Sequence, residues 1–291
     1  MSQPHELTLG HSPDPDDAFM FYGLAEHKVD TKGWKFEHIL QDIQTLNERA
    51  TRGELHISAI SIHAYAYVLD KYALLPCGAS MGDGYGPMII SRAGTDVPDL
   101  SNEAEVRGWL RDKVIAVPGK MTSAFLALGL YMGGFPERHV VIPFDEIFDA
   151  VNDGRADVGL IIHEGQVTYE RDGFQKIVDF GEWWKARTGL PLPLGGNVIR
   201  KDLSPADRSE INKILRESID YGLEHRAAGV AHAMPLARGM DEILADKFIG
   251  MYVNDYTLDY GDSGRKAITE FLTRASDAGL IPAPVELEFV E

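Results

Sequence analysis

The chain has one cysteine, Cys77, among 291 residues. No intrachain disulfide can form, so a packed core must hold the fold without cross-links. Cys77 lies in the apolar run A-L-L-P-C-G-A-S, a setting for a buried, inert thiol rather than a nucleophile. Basic residues are also scarce: 28 Lys and Arg stand against 45 Asp and Glu, a net charge of −17. A surface that acidic repels nucleic acid and anionic membranes, and neither is expected as a partner. A small anion is not excluded, because backbone N–H groups at a helix start can hold one without a basic side chain. No run of about 18 apolar residues occurs, so no membrane insertion is expected. The first ten residues lack a basic stretch followed by an apolar one, and the expected compartment is the cytoplasm. Repeats and low-complexity tracts are absent as well. What is present is a globular balance, 44% hydrophobic and 25% charged, which argues against extensive disorder. The length suits one large or two medium domains, and the oligomeric state is left open.

Strand-like and helix-like patterns alternate. Glu6–Gly10, Trp34–Leu40 and His56–Ile60 read as strands, with helices expected over about Asp16–His27, over Ile43–Arg52 and after Ser61. Ala73–Ala79 and Pro87–Ser91 are further strand candidates. After a polar, turn-rich segment, Arg92–Glu103, a second series follows. It comprises strand Val114–Val117, helix Thr122–Met132, strand Val140–Ile142, helix Asp145–Val151 and strand Val158–Ile162. Gly189–Gly196, G-L-P-L-P-L-G-G, has prolines at alternate positions and suits an extended crossing or an edge strand. Beyond Leu203 the pattern is helical, opening with Ser204 as N-cap and Pro205 at the first helical position and running through about Arg226. Further helices are expected at Met240–Met251 and Gly264–Ala278. The series predicts an α/β protein of two lobes, each a mostly parallel sheet flanked by helices, with a ligand cleft between them. Residues 1–92 and 197–291 form the first lobe, with a helical return, and 93–196 the inserted second lobe.

The segment Ala156–Tyr169, A-D-V-G-L-I-I-H-E-G-Q-V-T-Y, ends an apolar strand in His163-Glu164. A histidine at a strand end is a candidate general base, and on this segment alone a strand cap bonded to a loop is the plainer reading. His11–Phe19, H-S-P-D-P-D-D-A-F, follows the first strand. Asp14 suits an N-cap, Pro15 the first helical position, and Asp16 and Asp17 the positive end of the helix, while Ser12 can face the cleft. The three aspartates lack the spacing of a calcium loop, and no metal is expected. Pro118–Phe125, P-G-K-M-T-S-A-F, is not a P-loop, but it places Thr122 and Ser123 at a helix start that either caps itself or holds an anion. Ile57–Ser61, I-S-A-I-S, is a further candidate binding turn. Gly82, Gly84 and Gly86 are misspaced for a dinucleotide fingerprint, Trp183-Trp184 suits core packing better than a ligand wall, and no nucleophile elbow occurs.

Taken in order, these segments resemble the 1,4-dihydroxy-6-naphthoate synthase family of the futalosine pathway of menaquinone biosynthesis. The family's S-P-x-P-x-D-x-F opening matches Ser12, Pro13, Pro15, Asp17 and Phe19. Its I-I-H-E strand end matches Ile161–Glu164, with an aromatic at Tyr169. The G-E-W-W and G-L-P-L-P-L-G segments from Gly181 and Gly189 match as well. This chain departs from the family where Asp14, Asp16 and Ala18 replace the common Cys, Asn and Thr. The resemblance implies a two-lobed fold like the type II periplasmic binding proteins. It implies a lyase that converts cyclic dehypoxanthinyl futalosine to 1,4-dihydroxy-6-naphthoate, with no cofactor. His163 would be the proton acceptor, and Ser12, Ser58, Ala59, Ile60, Thr122 and Ser123 would be binding residues for a small anionic substrate. Chorismate dehydratase and non-catalytic solute binders share the wider superfamily and stand as the alternatives.

Overall fold

The structure is a computed structural model that describes residues 6–282 and 285–291. Its strands form two sheets. The first contains β1 (Glu6–His11), β2 (Lys35–Leu40), β3 (Ile57–Ser61), β4 (Tyr72–Leu74), β5 (Ser80–Gly82) and β11 (Leu192–Arg200). The second contains β6 (Met88–Arg92), β7 (Ile115–Val117), β8 (His139–Val141), β9 (Val158–Ile161) and β10 (Phe174–Asp179). The strand orders are β2-β1-β3-β11-β4, with β5 also on β11, and β10-β6-β9-β7-β8.

β1 is parallel to β2 and β3, and β7 is parallel to β8 and β9. β11 runs against β3, β4 and β5, while β6 runs against β9 and β10. Each sheet therefore has one reversed strand. In both, it is the strand by which the chain arrives from the other sheet. β1, β3, β7 and β9 lead into turns that face a shared cavity. β6 sets out beside that cavity, just after Pro87, and β11 crosses it early in its course, which fixes their opposite direction.

β11 begins inside Gly189–Gly196, the segment expected as an extended crossing or an edge strand, and as far as Leu194 it pairs with β5 alone. From Gly195 onward it is paired on both sides, to Ser61 and Ile60 of β3 and to β5 and then β4. Pro193 escapes conflict because it pairs with Met81 alone, before β3 begins, so its missing N–H leaves no gap in a two-sided ladder. Strand β10 and the helices Glu103–Arg111 and Phe180–Thr188 were not foreseen. The helix expected over 16–27 is broken at Phe21 into Pro15–Met20 and Tyr22–Ala25, and the long one breaks at His225.

Strands β3 and β9 are buried throughout, as strands covered on both faces must be. The helix Ser123–Met132 is apolar all round and buried at every position but Leu130. It packs on β11, on helix Phe180–Thr188 and on helix Gly261–Asp277, which holds its N-terminus at the cavity. Trp184 is fully buried and its indole N–H donates to the Pro191 carbonyl at 3.0 Å, so it is core, not a ligand wall. Cys77 is buried too, and burial pushes its thiol up to about 12. The two crossings meet where Phe180 N–H donates to the Pro87 carbonyl. There a Cβ on Gly181 would lie 1.9 Å from the Tyr85 carbonyl oxygen, so backbone meets backbone.

Candidate active site

Where the strand ends of the two sheets converge they enclose a cavity of about 130 Å³. Small-molecule pockets run from roughly 300 Å³ upward, so a ligand of that class enters only if the walls part. The wall is built from Ser12, Asp14, Asp16 and Asp17 after β1, Ala59–Ser61 at the end of β3, and Thr122–Ala124 at the helix start. Ile162 after β9, Leu194–Asn197 of β11, and Phe248 and Tyr252 of helix Glu242–Tyr252 complete most of the rest. It includes no Lys or Arg.

The turn after β1 is tied to itself. Ser12 N–H donates to Asp17 Oδ2 at 2.6 Å, and Ser12 Oγ donates to Asp14 Oδ2 at 2.5 Å. Asp14 occupies the N-cap position, yet its carboxylate does not cap the helix. It accepts from Arg238 Nη1 at 2.9 Å instead, while Arg238 Nη2 donates to the Pro13 carbonyl. Among the described residues Asp16 makes no bond to another side chain. Burial, with the charges of Asp17 and Asp14, holds its carboxyl well above the usual range. Burial likewise raises Asp17 to about 7, against the opposing Ser12 N–H.

Thr122 caps the helix Ser123–Met132, its Oγ1 accepting from Phe125 N–H at 3.2 Å and donating to the Gly119 carbonyl. Ser123 Oγ donates to the Leu194 carbonyl and accepts from His63 N–H. Both hydroxyls are thus engaged within the protein. What the helix start still offers is its unpaired backbone N–H groups and the positive end of its dipole.

Of the residues singled out in the sequence, the fold brings Ser12, Ala59, Ile60, Thr122 and Ser123 together in the wall. Ser58 is fully buried, with its Oγ donating to the Ala59 carbonyl, and does not reach the cavity. His163 is not in the wall either; its neighbour Ile162 is. The His163 ring is 8% exposed, 5.6 Å from the Phe144 ring and 5.9 Å from that of Phe148. Its Nδ1 accepts from Gly165 N–H at 2.9 Å. Burial lowers its pKa, outweighing the nearby carboxylates of Glu164 and Asp14, so the ring is neutral near neutral pH.

Arg238, Phe248, Tyr252 and the cavity-facing carboxyls were not singled out as site residues. The first three come from the helical return, whose sequence has no chemical motif to announce them. His11 bonds His38 across 3.0 Å and His63 Nδ1 lies 3.1 Å from the Thr122 carbonyl; burial lowers both to about 4, and neither lines the cavity. Among the described residues no group of three or more His, Cys, Asp or Glu is placed to hold a metal ion, and no helix is long and apolar enough to cross a membrane.

A sequence model of a family described as menaquinone biosynthesis matches residues 7–277. Two curated relatives bear the name 1,4-dihydroxy-6-naphtoate synthase. The one from Streptomyces coelicolor is 38% identical over 282 residues and covers 95% of both chains. The one from Thermus thermophilus is 35% identical over 279 residues, covering 96% of this chain and 97% of its own. The crystal structure of a protein from Archaeoglobus fulgidus superposes with a TM-score of 0.87 at 42% identity, over 95% of this chain and 99% of that one. A Candida albicans protein described as having the generic periplasmic binding protein fold matches with a TM-score of 0.68 at 12% identity, over 97% and 92%. That last likeness is one of fold alone. The architecture is the two-lobed α/β fold of type II periplasmic binding proteins, with the cavity in the cleft.

Proposed function

We propose a function from one premise: the chain belongs to the menaquinone biosynthesis family. In our reading it is an enzyme, a carbon–carbon lyase of the cytoplasm that converts cyclic dehypoxanthinyl futalosine to 1,4-dihydroxy-6-naphthoate and a sugar-derived fragment. The two lobes, one on each sheet, close over the substrate without a cofactor; the chain crosses between them after Gly82 and after Asp179, not at 92 and 197 as the sequence suggests, because β6 belongs to the second sheet and β11 to the first. The name shared by the two curated relatives supports the activity.

The observation that carries the reading is the character of the wall. A substrate carboxylate meets no basic side chain there, but it can meet the helix start at Thr122–Ala124. The aspartates opposite do not repel it while they hold their protons, which is the state burial favours for Asp16 and Asp17. Ser12, Ala59 and Ile60 contribute to the same wall as binding residues; Ser58 acts only through the strand it helps to hold.

His163 is the general base in this proposal. Its ring is neutral, as a base must be before it acts, and it sits one residue behind the wall, buried beside the Phe144 and Phe148 rings. Aromatisation of the product supplies driving force. The burial of His163 behind the wall favours a second reading, a binding protein without catalysis. A mass-spectrometric assay with cyclic dehypoxanthinyl futalosine separates the two. The expected result is dihydroxynaphthoate from the wild type and none from His163→Ala, with binding largely kept. Tight binding without product from the wild type selects the binder, and normal turnover by His163→Ala removes His163 from the chemistry.

A further inference from the structure

Buried polar side-chain atoms nearly always find a partner. Among the described residues three that do not, His163 Nε2, Glu164 Oε2 and Gln166 Nε2, fall within four consecutive positions at the end of β9. Glu164 is 7% exposed and its Oε2 lies 3.7 Å from His163 Nδ1, just beyond hydrogen-bond length. On its other side, Oε1 lies 3.6 Å from Nη1 of Arg238, which Asp14 holds at 2.9 Å.

The bond that His163 does make fixes its tautomer. A backbone N–H can only donate, so Nδ1 carries no proton where Gly165 N–H points at it, and the proton of the neutral ring is on Nε2. In that form Nε2 is a donor and cannot take a proton. For Nε2 to act as a base, the ring proton must be on Nδ1, and an acceptor must replace Gly165 N–H there. Glu164 Oε2, 3.7 Å away and without a partner among the described residues, is an acceptor placed to do so. Gly165 permits the exchange: a Cβ there would lie 2.7 Å from His163 Cε1 and 3.1 Å from Nδ1, and would pin the ring.

We propose that Glu164 is the positioning residue of His163, accepting the Nδ1 proton in the substrate complex so that Nε2 becomes the proton acceptor. This rests on the reading of His163 as the base. A substrate proton passes to Nε2, its electron pair stays on the substrate, and the Nδ1 proton stays in the bond to the carboxylate. No oxidant or reductant is required. The charged groups around the ring are Glu164, Asp14 and Arg238, so a change in its titration is read against those three.

The test is Glu164→Gln, assayed with cyclic dehypoxanthinyl futalosine. With the carboxylate gone, kcat is expected to fall about 100-fold or more while KM stays within about twofold. The acid limb of the kcat profile moves to lower pH, because the ring loses the neighbouring negative charge. In ¹⁵N NMR of the complex with 1,4-dihydroxy-6-naphthoate, wild-type His163 carries its proton on Nδ1 and the variant on Nε2. Glu164→Asp keeps the charge and restores part of the acid limb, and gives the same readouts should the glutamine variant not fold. Unchanged kcat and acid limb in Glu164→Gln overturn the proposal, as does a proton that stays on Nε2 in the wild-type complex. Normal turnover by His163→Ala alone defeats the base reading itself, whatever Glu164→Gln does.

Discussion

Raising the pH through 7 should weaken anion binding in the cleft. Burial raises Asp17 to about 7, so below that pH it carries a proton, and burial also holds Asp16 well above the usual carboxyl range. Ionising Asp17 places a negative charge in a wall with no basic side chain. Two like charges on the order of 6 Å apart repel by about 3 kcal/mol at an effective dielectric of about 20, or about 100-fold in affinity. Linkage gives the same scale: if the anion binds only the protonated form, Kd rises about tenfold per pH unit above 7, or about 100-fold by pH 9. Titration calorimetry with 1,4-dihydroxy-6-naphthoate between pH 6 and 9 measures this. Asp17→Asn, which still accepts from Ser12 N–H, should flatten the dependence. The same shift acts on stability with a definite sign. Because Asp17 binds its proton more tightly folded than unfolded, stability falls as pH climbs from about 4 to about 7 and levels off above. A wild-type Kd constant within twofold from pH 6 to 8.5 would refute the reasoning.

Two substitutions probe the frame around the site. Trp184→Ala removes a fully buried indole and its bond to the Pro191 carbonyl, and should cost about 3–5 kcal/mol in denaturant unfolding. Arg238→Met keeps an apolar stem near Phe144, whose ring lies 5.0 Å from the guanidinium, but loses the bonds to Asp14 and Pro13. The guanidinium is partly exposed, so the loss is held to about 1 kcal/mol, seen as roughly fivefold weaker product binding in calorimetry.

Much of the frame was legible because buried strands and polar helix starts leave local signatures. The apolar runs at Ile57 and Val158 mark β3 and β9, and the ends of those runs, Ala59–Ser61 and Ile162, reach the wall. Direction was not legible: β6 and β11 run backwards because of where the chain comes from, which no window of residues records. β10 was missed because an irregularity between Lys176 and Val178 breaks its alternation. The Glu103–Arg111 helix was hidden behind a polar stretch, although Asn102 caps it and Val106 and Leu110 form its buried stripe. In the site, Ser58 shows the limit of reading a motif as a block, since it lies deeper in β3 while Ala59, Ile60 and Ser61 at the strand's end reach the cavity. His163 turns behind the wall because the chain bends into a short helix at Gly165. Arg238 reaches Asp14 from 224 residues away, a partnership only folding can make.

The contact of Tyr85 and Gly86 with Gly181 sets how such a molecule can move. Two bodies joined by a pair of chain segments lying side by side behave like a book with one spine. They can swing, but sliding would shear the Phe180-to-Pro87 bond. Any opening that enlarges the 130 Å³ cavity is then a rotation about that spine, and its arc is greatest at the cleft's far rim. A methyl group added at Gly181 would act as a wedge in the spine, changing the resting angle of the covers without touching the page on which the chemistry is written.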